Sequence, residues 1–271
     1  PDYISAKKMK ENYEGNVFSP MGCRSFLSPW QDEQGNYKFD GRFNMGVVSL
    51  NLPQIGILAR GSEEKYFEIL DKRLELAEKA LMLRYNLLKD VVSDVSPIHW
   101  QHGAIARLKK GEKIAPFLTG GYATISLGYI GIYEACRLIT GESNTGEHGR
   151  VFAMKIMDRL NQAIYEWRDK HNLGFGLYGT PAESLTNRFS SLDRARFGII
   201  EDVTDKGYYT NSYHVSVREE INVFDKFAFE SEFQKKSTGG CISYAEIPNM
   251  SNNIPAVLTM IKYIYDNISY A

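Results

Sequence analysis

The sequence has little cysteine. Its three residues, Cys23, Cys136 and Cys241, are odd in number, far apart and in no C-x-x-C pair. That is poor material for a disulfide framework or a zinc site, so no metal is expected, and it fits a reducing, cytoplasmic setting. Charge of either sign is not in excess: 32 lysines and arginines stand against 33 acids, a formal charge of -1. Bulk charge therefore offers no surface for a polyanion, and nucleic acid is not an expected partner. A small phosphorylated ligand, which needs only local donors, stays open. No apolar run reaches membrane-spanning length, and Pro1, Asp2, Tyr3, Ile4 and Ser5 hold no signal-peptide core, so a soluble protein without membrane contact is expected. Pro1 in place of an initiator methionine reads as the start of a piece cut from something longer. Internal repeats and low-complexity stretches are missing too.

What is present is the material of a large core, 271 residues with 43% hydrophobic and 13% aromatic content. Short β-rich runs alternate with helical patterns, which predicts an α/β fold with a mostly parallel sheet. Five strands are expected, at residues 46–52 (closed by Pro53), 122–127, 174–178, 208–216 and 242–247. Helices are expected at 63–90, from Gly131 through Leu138, at 148–170, 223–233 and 254–267. In the first of them Phe67, Leu70, Leu74, Ala77, Leu81, Leu88 and Val91 recur at three- and four-residue spacing, so one stripe faces a core. Gly141 is placed to end the second. Five such strands make either an open sheet or half of a barrel, and periodicity does not choose between them.

Two stretches carry chemistry. Pro20, Gly22 and Pro29 make the surroundings of Cys23 a loop, able to present a thiol into a cavity beside Met21. On spacing alone the leading reading of Cys23 is a buried, inert thiol, and Met21 is core filler. Asn44, at the edge of the following strand, has an amide that both donates and accepts, suited to orienting a hydroxyl or carboxylate; equally it could satisfy backbone groups at a strand end. The second stretch, Gly179-Thr180-Pro181-Ala182-Glu183-Ser184, opens a helix after the third strand, where free N–H groups and the dipole receive phosphate. Thr180, Ala182 and Ser184 are the binding candidates. A competing reading makes Thr180 the N-cap, Pro181 the first helical residue and Glu183 the partner in a capping box, so Glu183 is either a cap or a partner of a ribose hydroxyl. His99 and His102 lack a third ligand at metal spacing, and Gly128-x-x-Gly131 is not a dinucleotide fingerprint. Cys136 and Cys241 read as packing residues.

The segments Ser19-Pro20-Met21-Gly22-Cys23-Arg24 and Gly41-Arg42-Phe43-Asn44-Met45-Gly46, with Gly176-Leu177-Tyr178-Gly179-Thr180-Pro181-Ala182-Glu183-Ser184 and Ser237-Thr238-Gly239-Gly240-Cys241-Ile242-Ser243-Tyr244-Ala245-Glu246, resemble the anaerobic ribonucleotide reductases, a class of glycyl-radical enzymes. The likeness runs along essentially the whole chain. It implies a ten-stranded α/β barrel of two five-stranded halves with a finger loop through its centre. This chain would be a single catalytic-barrel portion, with the finger loop at about residues 16–45 carrying Cys23 and the second half-barrel at about 46–271. In that family a glycyl radical takes a hydrogen atom from the loop cysteine, and the thiyl then takes the 3′-hydrogen of a ribonucleoside triphosphate. Cys23 matches that cysteine; Met21 and Asn44 match positions near the ribose and the pocket of relatives that use formate as reductant.

The same resemblance implies a radical S-adenosylmethionine activase and a homodimer. It places the first half-barrel, a regulatory nucleotide-binding cone, a four-cysteine zinc site and the glycyl-radical segment outside this sequence, so turnover by the chain alone is not expected. One alternative is a glycyl-radical enzyme of the pyruvate formate-lyase type, which places two adjacent cysteines where Cys23 is flanked by Gly22 and Arg24. Another is a noncatalytic nucleotide-binding module.

Overall fold

The computed structural model describes residues 9–10, 14–15, 25, 27, 34–39 and 41–270. Met21, Cys23 and most of the expected finger loop lie outside the described residues. Three strands, β1 (Phe43–Asn51), β2 (Ala123–Ile130) and β3 (Gly174–Gly179), form a parallel sheet in that order. Around it stand α1 (Leu52–Ala59), α2 (Glu63–Leu88), α3 (Ile132–Thr140), α4 (Glu147–His171), α5 (Glu183–Phe197), α6 (Val223–Lys236) and α7 (Ile254–Asn267).

Alternation in the strands makes two unlike faces. Val48 and Leu50 of β1 align with Leu127 and Tyr129 of β2, and Ile125 and Leu127 with Phe175 and Leu177 of β3. Side chains in register on neighbouring strands share a face, so this one is apolar apart from the Tyr129 hydroxyl, which pairs with Ser237 Oγ. The long helices α2 and α4 lie against it, α2 on β1 and α4 on β3. Tyr66, Leu70, Leu74, Ala77 and Leu81 of α2 recur at helical spacing and are buried, as are Phe152, Ile156, Leu160, Ala163, Ile164 and Trp167 of α4. Each large side chain buried there contributes about 1.5–3 kcal/mol.

Local signals set most helix ends. Ser62 Oγ accepts from Lys65 N and is followed by Glu63 and Glu64, which suit the positive end of the dipole. Gly141, at φ 75°, terminates α3 as expected. Pro53, expected to close a strand ahead of a loop, instead lies in the first turn of α1, where its missing N–H costs nothing; Asn51 Oδ1 caps that helix by accepting from Gln54 N.

Two of the five expected strands are not strands. Residues 208–216 pass the C-terminal end of β2 in turns, because Ser212 takes a left-handed φ of 38° and His214 N folds back to Asn211 O. The segment still hands the Thr210 and Ser212 carbonyls to Gly131 N and Ile132 N. Residues 242–247 are irregular: the link to β3 is made just earlier, by Gly239 N to Leu177 O and Gly179 N to Gly240 O, and does not propagate. The architecture among the described residues is thus α/β around three parallel strands.

Candidate functional site

The second face of the sheet carries the polar residues. Asn44, Ser49 and Asn51 of β1, Thr124, Ser126 and Gly128 of β2, and Gly174 and Gly176 of β3 share it with Val47, Ile130 and Tyr178. Asn44 belongs there because of a bulge. Three steps along β1, from Asn44 to Val47, oppose two along β2, from Thr124 to Ser126, and the extra residue returns Asn44 to the face from which strict alternation would exclude it. Gly46 makes the bulge at φ 129°, where a Cβ would also stand 2.3 Å from the Arg84 guanidinium. The Asn44 amide is held at both ends: Nδ2 donates to Ser126 Oγ at 2.7 Å, and Oδ1 accepts from Gly46 N at 2.6 Å. Thr124 Oγ1, on the same face, is buried without a hydrogen-bond partner.

At the other end of the face, Ser49 Oγ and Thr180 Oγ1 lie 2.9 Å apart. Asn44 and this pair are separated by four residues of β2, about 13 Å at 3.3 Å per residue. Asn51 Nδ2 donates to Asp193 Oδ2 (2.7 Å), Gln54 Nε2 to Asp193 Oδ1 (2.6 Å) and Tyr209 OH to Asp193 Oδ2 (2.9 Å). Asp193 is buried, and three neutral donors take the place of a cation. Burial, and the Asp193 carboxylate it faces, push the Tyr209 phenol up, so it stays a donor. This hub ties the ends of β1 and α1 to α5.

The expected capping box does not form. α5 begins at Glu183 with Ala182 as N-cap and no side-chain cap, because the Thr180 hydroxyl is turned onto Ser49. Ala182 N donates to Asn211 Oδ1 at 3.0 Å. Thr180 and Ala182 are buried, Glu183 and Ser184 exposed, so the first turn of α5 meets solvent beside the polar face. The structure thus brings Thr180, Ala182, Glu183 and Ser184 together, with Asn44 further along the same sheet. Ser49, Ser126, Gly128 and Asp193 were not anticipated. The alternation Thr124-Ile125-Ser126-Leu127-Gly128-Tyr129 held the signal for the polar row; Asp193 had none.

The remaining candidates stay bland. Cys136 is buried in α3, its thiol pushed up by burial and by Glu134, and donates to Gly149 O. Cys241 is buried. His99 sits in an exposed turn with Ser96. Among the described residues no three His, Cys, Asp or Glu side chains could hold a metal, and no helix is long and apolar enough to cross a membrane. With three cysteines in all, the chain does not fit a four-cysteine zinc site.

The family model of the anaerobic ribonucleoside-triphosphate reductases matches residues 1–271. The chain belongs to this family. The anaerobic ribonucleoside-triphosphate reductase of Salmonella typhimurium is 44% identical over 259 residues, covering 94% of this chain and 36% of that protein. That of Enterobacteria phage T4 is 42% identical over 276 residues, covering 100% and 44%. The chain therefore spans less than half the length of these relatives. Among solved structures, the anaerobic ribonucleotide reductase of Thermotoga maritima with citrate in the active site superposes with a TM-score of 0.66 at 21% identity, over 90% of this chain and 42% of that one. At that identity the likeness is one of fold.

Proposed function

We propose that this chain is the catalytic-barrel portion of an enzyme that reduces ribonucleoside triphosphates to deoxyribonucleoside triphosphates without oxygen. The observation that carries the reading is the match of the reductase family along all 271 residues. The three strands would belong to the second half of a ten-stranded barrel, their polar face turned to its interior and a finger loop at about residues 16–45 crossing in front. In such an arrangement the apolar face needs its helices, and the polar face leaves room for a substrate.

Cys23 would be the reacting thiol. An S–H bond gives up its hydrogen atom to a carbon radical, and the thiyl so formed takes the 3′-hydrogen of the ribose, regenerating S–H and leaving the radical on the sugar. The radical comes from outside this chain, as a glycyl radical raised by a radical S-adenosylmethionine activase; zinc likewise belongs to a segment outside it. Formate as reductant would supply two electrons and a hydrogen and leave as carbon dioxide, while the 2′-hydroxyl takes up a proton and leaves as water, a hydrogen replaces it at C2′, and Cys23 returns the 3′-hydrogen. Met21 would sit by the ribose. The Asn44 amide, held by Ser126 and Gly46, has an orientation suited to a sugar hydroxyl or the reductant carboxylate. At the far end of the face, Thr180 and Ser184 would receive the triphosphate at the start of α5, which has no side-chain cap, with Ala182 lining the loop while its N–H stays on Asn211, and Glu183 toward a ribose hydroxyl. A cytoplasmic homodimer is the natural setting of the intact enzyme.

The test supplies the rest of the polypeptide and the activase under anaerobic conditions and follows deoxynucleotide formation by Cys23→Ser. Turnover is expected to vanish, because a serine O–H is too strong to exchange its hydrogen with a carbon radical. Undiminished product from the serine variant would end the assignment.

A further inference from the structure

Gly128 does more than fill a strand position. A Cβ at this residue would stand 2.1 Å from Thr180 Oγ1, 2.4 Å from Ser49 Oγ and 3.1 Å from Val47 Cγ2. Only glycine lets the two hydroxyls meet across β2, at 2.9 Å. Thr180 is 7% exposed and Ser49 half-buried, so the contact sits at the border of the polar face and the start of α5.

Each hydroxyl has one proton and two acceptor lone pairs. If Thr180 donates to Ser49, Thr180 shows only lone pairs to whatever approaches, and an anion is repelled. If Ser49 donates to Thr180, the Thr180 proton is free to point outward. Two neighbouring polar groups are already engaged elsewhere. The Asn51 amide is committed to Asp193 and Gln54, and Ala182 N to Asn211. An arriving anion therefore selects the second polarity and gains a donor already aimed by its neighbour, without paying to order it.

We propose that Ser49 is a positioning residue for the triphosphate: it donates to Thr180 and so makes Thr180 an obligate donor to a phosphate oxygen. This rests on reading Thr180 as a phosphate ligand. Ser49 touches no ligand itself and acts only through Thr180.

The experiment measures binding of CTP and of inorganic tripolyphosphate to the 271-residue chain by calorimetry, with thermal unfolding of each variant as the control for folding. Ser49→Ala is expected to weaken both probes about tenfold, the scale of one hydrogen bond to an ionised group. Ser49→Thr, which keeps the hydroxyl, should bind as the parent does. Thr180→Val should lose as much or more, and the double variant Ser49→Ala/Thr180→Val should be no weaker than Thr180→Val alone, because the two residues act in series. Additive losses in the double variant would assign Ser49 a separate structural effect and overturn the proposal. Parent-like binding by Ser49→Ala, with Thr180→Val impaired, would overturn it while leaving the phosphate loop standing. Parent-like binding by Thr180→Val, or no binding of either probe by the parent, would remove the phosphate reading and this proposal with it.

Discussion

The two faces of one sheet are built from alternate residues of the same strands and follow opposite rules. On one face Ile125, Leu127, Phe175 and Leu177 are fully buried against α2 and α4, with no polar atom to satisfy. On the other, the hydroxyls and bare backbone of Thr124, Ser126, Gly128, Gly174 and Gly176 stand among Val47, Ile130 and Tyr178. The first face holds the strands together, and the second carries the candidate site residues Asn44 and Ser49. A strand ladder ties every residue of one face to its neighbour on the other, so the position of Asn44, Ser49 and Thr180 is inherited from leucines and phenylalanines that never touch a ligand.

That division is most easily broken from the apolar side. Leu127→Ala removes a side chain that is fully buried at the centre of the middle strand, between Val48 and Leu177. A loss of about 4 kcal/mol in unfolding free energy is expected from lost transfer energy and the cavity left behind. Denaturant titration checks it; a loss under about 1 kcal/mol would mean that this face is not the foundation of the sheet.

The next effect tests what replaces the ladder where the strands end. Segments 208–216 and 241–243 are tied to α6 around Glu230, which is fully buried. Glu230 Oε1 accepts from Val215 N, lies 3.0 Å from Lys226 Nζ and 3.5 Å from His214 Nδ1. Burial pushes its carboxyl up, but His214, Lys226 and the Ser243 hydroxyl outweigh it and hold the group down at about 2. Because the folded value lies below the ordinary 4.5, the stabilisation is fully present above that pH and is lost as pH falls toward about 2. Glu230→Gln is expected to cost about 3 kcal/mol at neutral pH. The gap between variant and parent should close on acidification from about pH 5 to about pH 2, followed by thermal unfolding; a gap independent of pH would show that the charge is not what binds these segments.

The elements that could be read in the sequence are those with long periodic patterns. The stripe from Leu70 to Leu81 and the run from Phe152 to Trp167 each repeat over several turns and were placed within a few residues. Residues 208–216 and 242–247 failed because composition rich in tyrosine, valine and isoleucine marks a half-buried extended chain, whereas a strand also needs a partner along its length. Tyr244 and Ile247 are exposed and have no ladder beside them. The capping box failed for a nonlocal reason: Thr180 had the right sequence neighbours, but its hydroxyl is claimed by Ser49, 131 residues away. Asn44 could be singled out by its amide, yet the bulge that turns it inward depends on how β1 pairs with β2, which no local pattern carries. Asp193 is beyond sequence reading altogether, since three donors converge on it from β1, α1 and the segment after α5.

The smallest effect on stability is expected on the polar face, and it is the one that separates the two faces most sharply. Ser126 is buried, and among the described residues its hydroxyl serves one purpose, accepting from Asn44 Nδ2. Ser126→Ala keeps the strand, the pairing and the volume, and should cost about 1 kcal/mol, the net worth of one hydrogen bond. Asn44 is only half-buried and still accepts from Gly46 N, so it keeps one anchor and loses the other. Its amide would then rotate about the remaining bond, and groups that are well aligned only on average position a substrate poorly. In the intact enzyme the expected result is a fall in turnover well beyond what 1 kcal/mol of folding energy would produce, with unfolding almost unchanged. If Ser126→Ala instead destabilised the chain as much as Leu127→Ala while leaving turnover alone, the polar face would be part of the foundation, and the separation of the two faces would fail.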